Sequence, residues 1–184
     1  MILAFDETAA IVPELATQGW DMSKVYMTDG NTSDWGGEFD PGTLEGAKGT
    51  IPGADASAEF KSAISSWHEQ FEGEALSDYS YAAESYDAVI LAALAAAKGG
   101  SNDSVTVQEN LLAVSGATEG TACATYAECL ELIDAGEEIA YQGPSGIGPL
   151  NESHDPSSAF IGIYQYNAEN APELTDSVEG VSGG

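Results

Sequence analysis

Lys24-Val25-Tyr26-Met27-Thr28-Asp29-Gly30 is a β-branched and aromatic run closed by a Thr-Asp-Gly turn, so it reads as a strand ending before Asp29. Upstream, Ile2-Leu3-Ala4-Phe5 is a second short apolar run, suited to a buried strand. Between the two, Thr8 can cap a helix running to about Thr17, with Gly19 beyond its end. Pro13 lies inside that helix and removes a backbone donor, which predicts a kink or a late start. Strand, helix and strand in immediate succession are half of a parallel α/β layer, because parallel strands need a crossover between them.

Working outward, residues 31–52 are rich in Gly, Asp and Pro and predict one short helix near Pro41 to Glu45 and a strand near Ala47 to Ile51. Ser57 opens a clearer helix. Its Phe60, Ala63, Ile64, Trp67 and Phe71 share one face and predict a buried stripe. Ser80 is placed to cap an alanine-rich helix that runs through Lys98 and stops at Gly99-Gly100. Ser104 then caps a helix with Val107, Leu111 and Leu112 inward and Gly116 as its stop. Thr125-Tyr126-Ala127-Glu128 has the form of a capping box, with Cys129, Leu130 and Ile133 on the helix that follows, before Gly136. Phe160 to Tyr166 reads as a strand. Beyond Asn167 the chain turns acidic and small, which predicts a frayed tail.

Charge is the most extreme property. Thirty-one acidic residues face four lysines and no arginine, a formal charge of −27. A chain so short of cations does not bind nucleic acid or an anionic membrane by neutralising phosphates. The acidic excess either forms one face for a cationic partner or is spread as a solvation coat suited to high salt. Acidic residues occur in nearly every segment, which favours the coat. No apolar run reaches the roughly 18 residues of a membrane span. The best candidate, Ala82 to Ala97, is interrupted by Glu84, Ser85, Tyr86 and Asp87. Met1 opens without a basic n-region or cleavage site, so a secreted form is expected to be mature or truncated here, and a truncated chain is the expectation.

No catalytic motif emerges. Gly143-Pro144-Ser145-Gly146-Ile147 lacks the closing glycine of a nucleophile elbow, and Gly146-Ile147-Gly148-Pro149 lacks the third glycine of a dinucleotide fingerprint. His68 and His154 have no ligand or triad context, so neither a metal nor a cofactor is expected. Asp29, Asn31, Ser33 and Asp34 superficially resemble a calcium loop, without its sixth-position glycine and terminal glutamate. The sequons at Asn31, Asn102 and Asn151 are expected by chance. The aromatics Trp20, Trp35, Trp67, Tyr79, Tyr81, Tyr86, Tyr141, Tyr164 and Tyr166 are available to line a cleft, although a core role is commoner. Cys123 and Cys129 are too few for zinc and too far apart for a redox pair. They are two buried thiols or a local disulfide, the second implying an oxidising compartment.

Three stretches in order resemble one family. Ile2-Leu-Ala-Phe-Asp-Glu-Thr-Ala-Ala-Ile-Val with Gly19 and Lys24-Val-Tyr-Met-Thr-Asp29-Gly30 resembles the second-lobe strand–helix–strand of Leu/Ile/Val-type solute-binding proteins of ABC importers. Tyr81-Ala-Ala-Glu-Ser-Tyr86-Asp87-Ala88-Val89 looks like their long helix after the third lobe crossover. Cys123 and Cys129, followed by Ala135-Gly-Glu-Glu-Ile-Ala-Tyr141-Gln-Gly143-Pro-Ser145-Gly146, are similar to a bacterial branch with a bridged loop, and Ile163-Tyr-Gln-Tyr-Asn167 fits the family's late strand. The resemblance covers nearly the whole chain. It implies an α/β fold, the three-layer parallel-sheet lobes of a type I periplasmic-binding-protein clamshell, incomplete and comprising its C-terminal part only. Residues 1–52 would belong to the second lobe, 53–142 to the mostly helical part of the first, and 143–184 to the return and tail.

The function so implied is an extracytoplasmic amino-acid receptor, periplasmic or extracellular and compatible with a lipoprotein anchor at full length. It would deliver ligand to the membrane subunits of an importer without catalysis, ligand contacts driving lobe closure. Phe5 would pack on the ligand, and Asp29 would pair with its α-ammonium group. A homodimer or swapped assembly of the fragment is expected, because missing partner strands leave apolar edges. Two other readings stay open: a ligand-sensing module of the same fold in a receptor or sensor, and a truncated fragment that binds nothing.

Overall fold

The computed structural model describes residues 5–53 and 55–181. The chain divides into two compact units: one takes the residues up to Pro52 and Ile161–Val178, the other Gly53–Phe160 and the chain from Glu179. The expected strand Ile2 to Phe5 lies outside the described residues except for Phe5.

The first unit begins with α1, Thr8–Thr17, which continues through Pro13 without interruption. Glu7, not Thr8, stands at its N-cap, and Thr8 is instead fully buried as the first helical residue. The strand expected over residues 24–27 does not form; only an isolated bridge stands in its place. Met22–Lys24 forms a 3-10 turn capped by Asp21, and Tyr26 then makes a parallel bridge to Lys48. Asp29–Asn31 is a second 3-10 turn. The short helix expected at residues 41–45 is a run of turns, because Gly42 and Gly46 both adopt left-handed φ values that an α-helix cannot accommodate. β1 (Lys48–Pro52) pairs antiparallel with β4 (Ser158–Tyr166), Thr50 facing Ile163. β5 (Pro172–Val181) flanks β4 on its other side.

The tail expected to fray is therefore a sheet strand. The turn that launches it is anchored by Asn170, which is fully buried. Its side chain accepts from the Leu44 N–H at 2.9 Å and donates to the Asp40 and Phe39 carbonyls. Val12, Val25, Met27, Phe39, Leu44, Ala47 and Tyr166 form the core of this unit.

The second unit is helical around a small parallel sheet. α2 (Ala58–Glu72) is capped by Ser57, whose hydroxyl accepts from the Phe60 N–H. α3 (Ala82–Gly99) begins after Tyr81, not at Ser80, and ends at Gly100 in the left-handed region. α4 (Ser104–Val114) is capped by Asp103, whose carboxylate takes the Val105 and Thr106 N–H groups, so the cap lies one residue before the expected Ser104. β2 (Thr121–Cys123) and β3 (Ile139–Tyr141) pair in parallel, with α5 (Tyr126–Asp134) as their crossover. Thr125 caps α5 as expected, while Glu128 reaches back to the Ala124 N–H. Leu91, Leu94, Ala95, Val114, Cys123, Cys129, Ile139 and Tyr141 form the core.

The α2 stripe contradicts its expectation: no residue of α2 is buried, and Trp67 and Phe71 are 62% and 61% exposed. Periodicity identifies which residues share a face, but not whether anything covers it. Among the described residues no helix is long and apolar enough to cross a membrane.

Candidate ligand site

The start of α1 and the turn at Asp29–Asn31 are held together by one buried amide. Asn31 is fully buried; its Oδ1 accepts from the Thr28 N–H at 2.8 Å, and its Nδ2 donates to the Thr8 hydroxyl at 3.3 Å. The Thr8 N–H in turn donates to the Phe5 carbonyl at 2.9 Å. The Asn31 carbonyl is itself pinned by the Trp35 indole N–H and the Tyr166 hydroxyl. Burial drives the Tyr166 phenol well above the ordinary tyrosine range, so it remains a neutral donor.

This scaffold brings the two expected ligand residues side by side. The Phe5 ring lies against Gly30: a Cβ added there would fall 2.0 Å from the ring's Cε1. Asp29 is the next residue, exposed, with one carboxylate oxygen accepting from the Gly30 N–H at 2.8 Å. Phe5 is 68% exposed. The result is an aromatic face and a carboxylate, both open to solvent and adjacent, on a turn fixed from beneath by buried polar groups.

The same amide settles two weaker motifs. Asn31 points inward, so it is neither an accessible glycosylation acceptor nor a calcium ligand, and among the described residues no cluster of three or more His, Cys, Asp or Glu could hold a metal ion. Cys123 and Cys129 are joined as a disulfide between the end of β2 and the first turns of α5.

Sequence reasoning missed a second polar centre. Asp87, 1% exposed on α3, accepts from the Tyr141 hydroxyl at 2.7 Å, from the Ser145 N–H at 2.9 Å, and from the Ser145 hydroxyl. A Cβ at Gly143 would fall 1.9 Å from its carboxylate, so only glycine allows the loop after β3 to come this close. Burial first, and then the bond to Asp87, raise the Tyr141 phenol far above its ordinary value. Ser145 therefore anchors a loop rather than serving as a nucleophile. The sequence signal was present in the form of a carboxylate interrupting the most apolar helix, but its partners lie more than fifty residues away. Beside this anchor a cleft of about 330 Å³ opens among Ser115, Gly116, Gln142, Gly146, Ile147 and Pro149, with no charged side chain in its lining.

No family model matches the sequence, and no curated protein matches it significantly. Four chains of known structure match it in fold. One is a leucine-binding protein, LivK, of Thermotoga maritima, 17% identical with a TM-score of 0.59, the match covering 94% of this chain. The chain spans 41% of the length of that protein. At this identity the likeness establishes architecture alone: a mixed α/β chain with part of a periplasmic-binding-protein fold.

Proposed function

We propose that the chain is part of an extracytoplasmic solute receptor of the amino-acid type, which captures its ligand without chemistry and hands it to the membrane subunits of an ABC importer. In this reading the unit containing Phe5 and Asp29 belongs to the second lobe of the clamshell, and residues 53–142 to the first. The observation that carries the reading is the juxtaposition of the Phe5 ring, Gly30 and the open carboxylate of Asp29. An aromatic surface beside a carboxylate suits a small molecule with an apolar body and an ammonium group. While Asp29 is in water such a pair is weak, and it strengthens as capture removes water around it. The likeness to a leucine-binding protein supports a small-molecule ligand. The disulfide supports a periplasmic or extracellular location, where such bonds persist. Among the described residues β5 is an edge strand of its sheet, which supports pairing with a second copy, read by light scattering at micromolar concentration, with a clean monomer as the contrary result.

Thermal-shift screening against the common α-amino acids tests the function. At least one should raise the melting temperature, and its analogue lacking the amino group should not. Gly30→Ala provides a positional control. The added methyl displaces the far end of a flexible ring and not backbone, so the variant should fold normally yet lose the shift. A panel in which no amino acid stabilises the protein contradicts the proposal.

A further inference from the structure

We infer that the apolar face of α2 is a docking surface for a cationic amphipathic segment of another protein, one whose apolar side chains are flanked by lysine or arginine. The helix is complete in itself, with the Ser57 cap at one end and Gly73 in the left-handed region at the other. Its length is therefore set by its own signals, while among the described residues its apolar stripe is half-buried at Phe60 and Ile64 and left open at Trp67 and Phe71. Trp67 and Phe71 pack against each other, their rings tilted by 37° with centres 4.6 Å apart. Phe60 meets Tyr86 of α3 edge-on at 5.4 Å, which carries the surface onto α3, where Val89 one turn further on is 67% exposed. Contiguous apolar surface of this kind, centred on a tryptophan, marks interaction sites, and tryptophan is among the residues that dominate binding energy in them.

Charge selects the occupant. Glu59, Glu69, Glu72 and Glu74 are all exposed around the stripe. The lysines of this unit are already engaged, Lys61 with Asp55 and Lys98 with Glu138 at 2.8 Å. An apolar strip with an acidic rim is complementary to an apolar strip with a basic rim. A second copy of this chain would bring like charge to the same rim, and so would an anionic membrane. This inference stands independently of the ligand site, which lies in the other unit.

The test is calorimetric titration of the whole chain with a peptide of about five helical turns built from leucine and lysine in amphipathic order, against its leucine–glutamate counterpart. The lysine peptide should bind, more weakly at about 1 M salt than at about 0.15 M, and the glutamate peptide should not. The Trp67→Ser/Phe71→Ser variant should bind at least tenfold more weakly with unchanged circular dichroism, since neither side chain is buried. Trp20→Ser, which removes an exposed ring from the other unit, should bind as wild type. Glu69→Lys/Glu72→Lys, which keeps the rings and inverts the rim, should weaken the preference for lysine. Equal binding by the Trp67/Phe71 variant would assign the attraction to general acidity and overturn the inference. So would absence of binding, equal binding of both peptides, or self-association abolished by the Trp67/Phe71 substitutions, which would assign the face to a second copy.

Discussion

Asp87 shows how one side chain can fix a loop far away in sequence. Its carboxylate accepts three hydrogen bonds from Tyr141 and Ser145 while almost wholly buried. Hydrogen bonds to a charged acceptor contribute about 1.5–3 kcal/mol each, and orphaning the donors adds a desolvation cost. Asp87→Ala should therefore lose about 3 kcal/mol or more in urea unfolding. Asp87→Asn should lose less, since its amide still offers one acceptor and Tyr141 can accept as well as donate. Equal, small losses for both would show that the anchor contributes little. At this scale legibility was uneven. Asp29 and Phe5 were singled out through the family resemblance and not through a local signal; the fold sets the Phe5 ring against Gly30, the residue after Asp29. The roles of Asn31, Thr8 and Asn170 were not legible, because what makes them structural is burial by segments distant in the chain.

Elements declare their ends more reliably than their neighbours. Ser57 and Thr125 cap helices as their spacing predicts, because the hydroxyl and the N–H it satisfies are three residues apart. Asp103 took the cap expected of Ser104, since a carboxylate there accepts two N–H groups at once. The Ser101 hydroxyl first, and the Thr106 N–H next, hold its carboxyl at about 2, below the ordinary 3.8. A depressed carboxyl favours the folded state above the unfolded pKa and loses that contribution as pH falls through the folded one. Asp103→Asn should accordingly shrink the difference in melting temperature between pH 5 and pH 2, and an unchanged difference would show the cap to be inert. Partnerships between elements were less legible. The α2 stripe predicted burial that the fold does not supply. The acidic segment after Asn167 hid a strand whose ladder runs to β4. Both depend on what lies opposite, which periodicity does not encode.

For the whole molecule, the chain leaves its first unit at Pro52 and rejoins it at Ile161, so each unit's core draws on one or two separate stretches of chain. The α/β class was expected from the strand–helix–strand opening, of which the described residues show α1 and a bridge at Tyr26; the antiparallel pairing of β1 with β4 was not legible, because its partners are more than a hundred residues apart. With a formal charge of −27, self-repulsion acts on the folded state as a whole and is screened beyond about 10 Å at 0.1 M salt. The melting temperature should rise as salt increases from about 0.01 M to about 1 M. A flat profile would show the charge to be energetically silent. Ligand capture depends most heavily on Asp29 under the proposed function, and the direct measurement is calorimetric titration of wild type and Asp29→Asn with the amino acid that most stabilises the chain. A charge-assisted pair lost from a desolvated site should weaken affinity about tenfold or more, with little change in melting temperature of the free protein. Equal affinity in the two proteins would contradict the assignment.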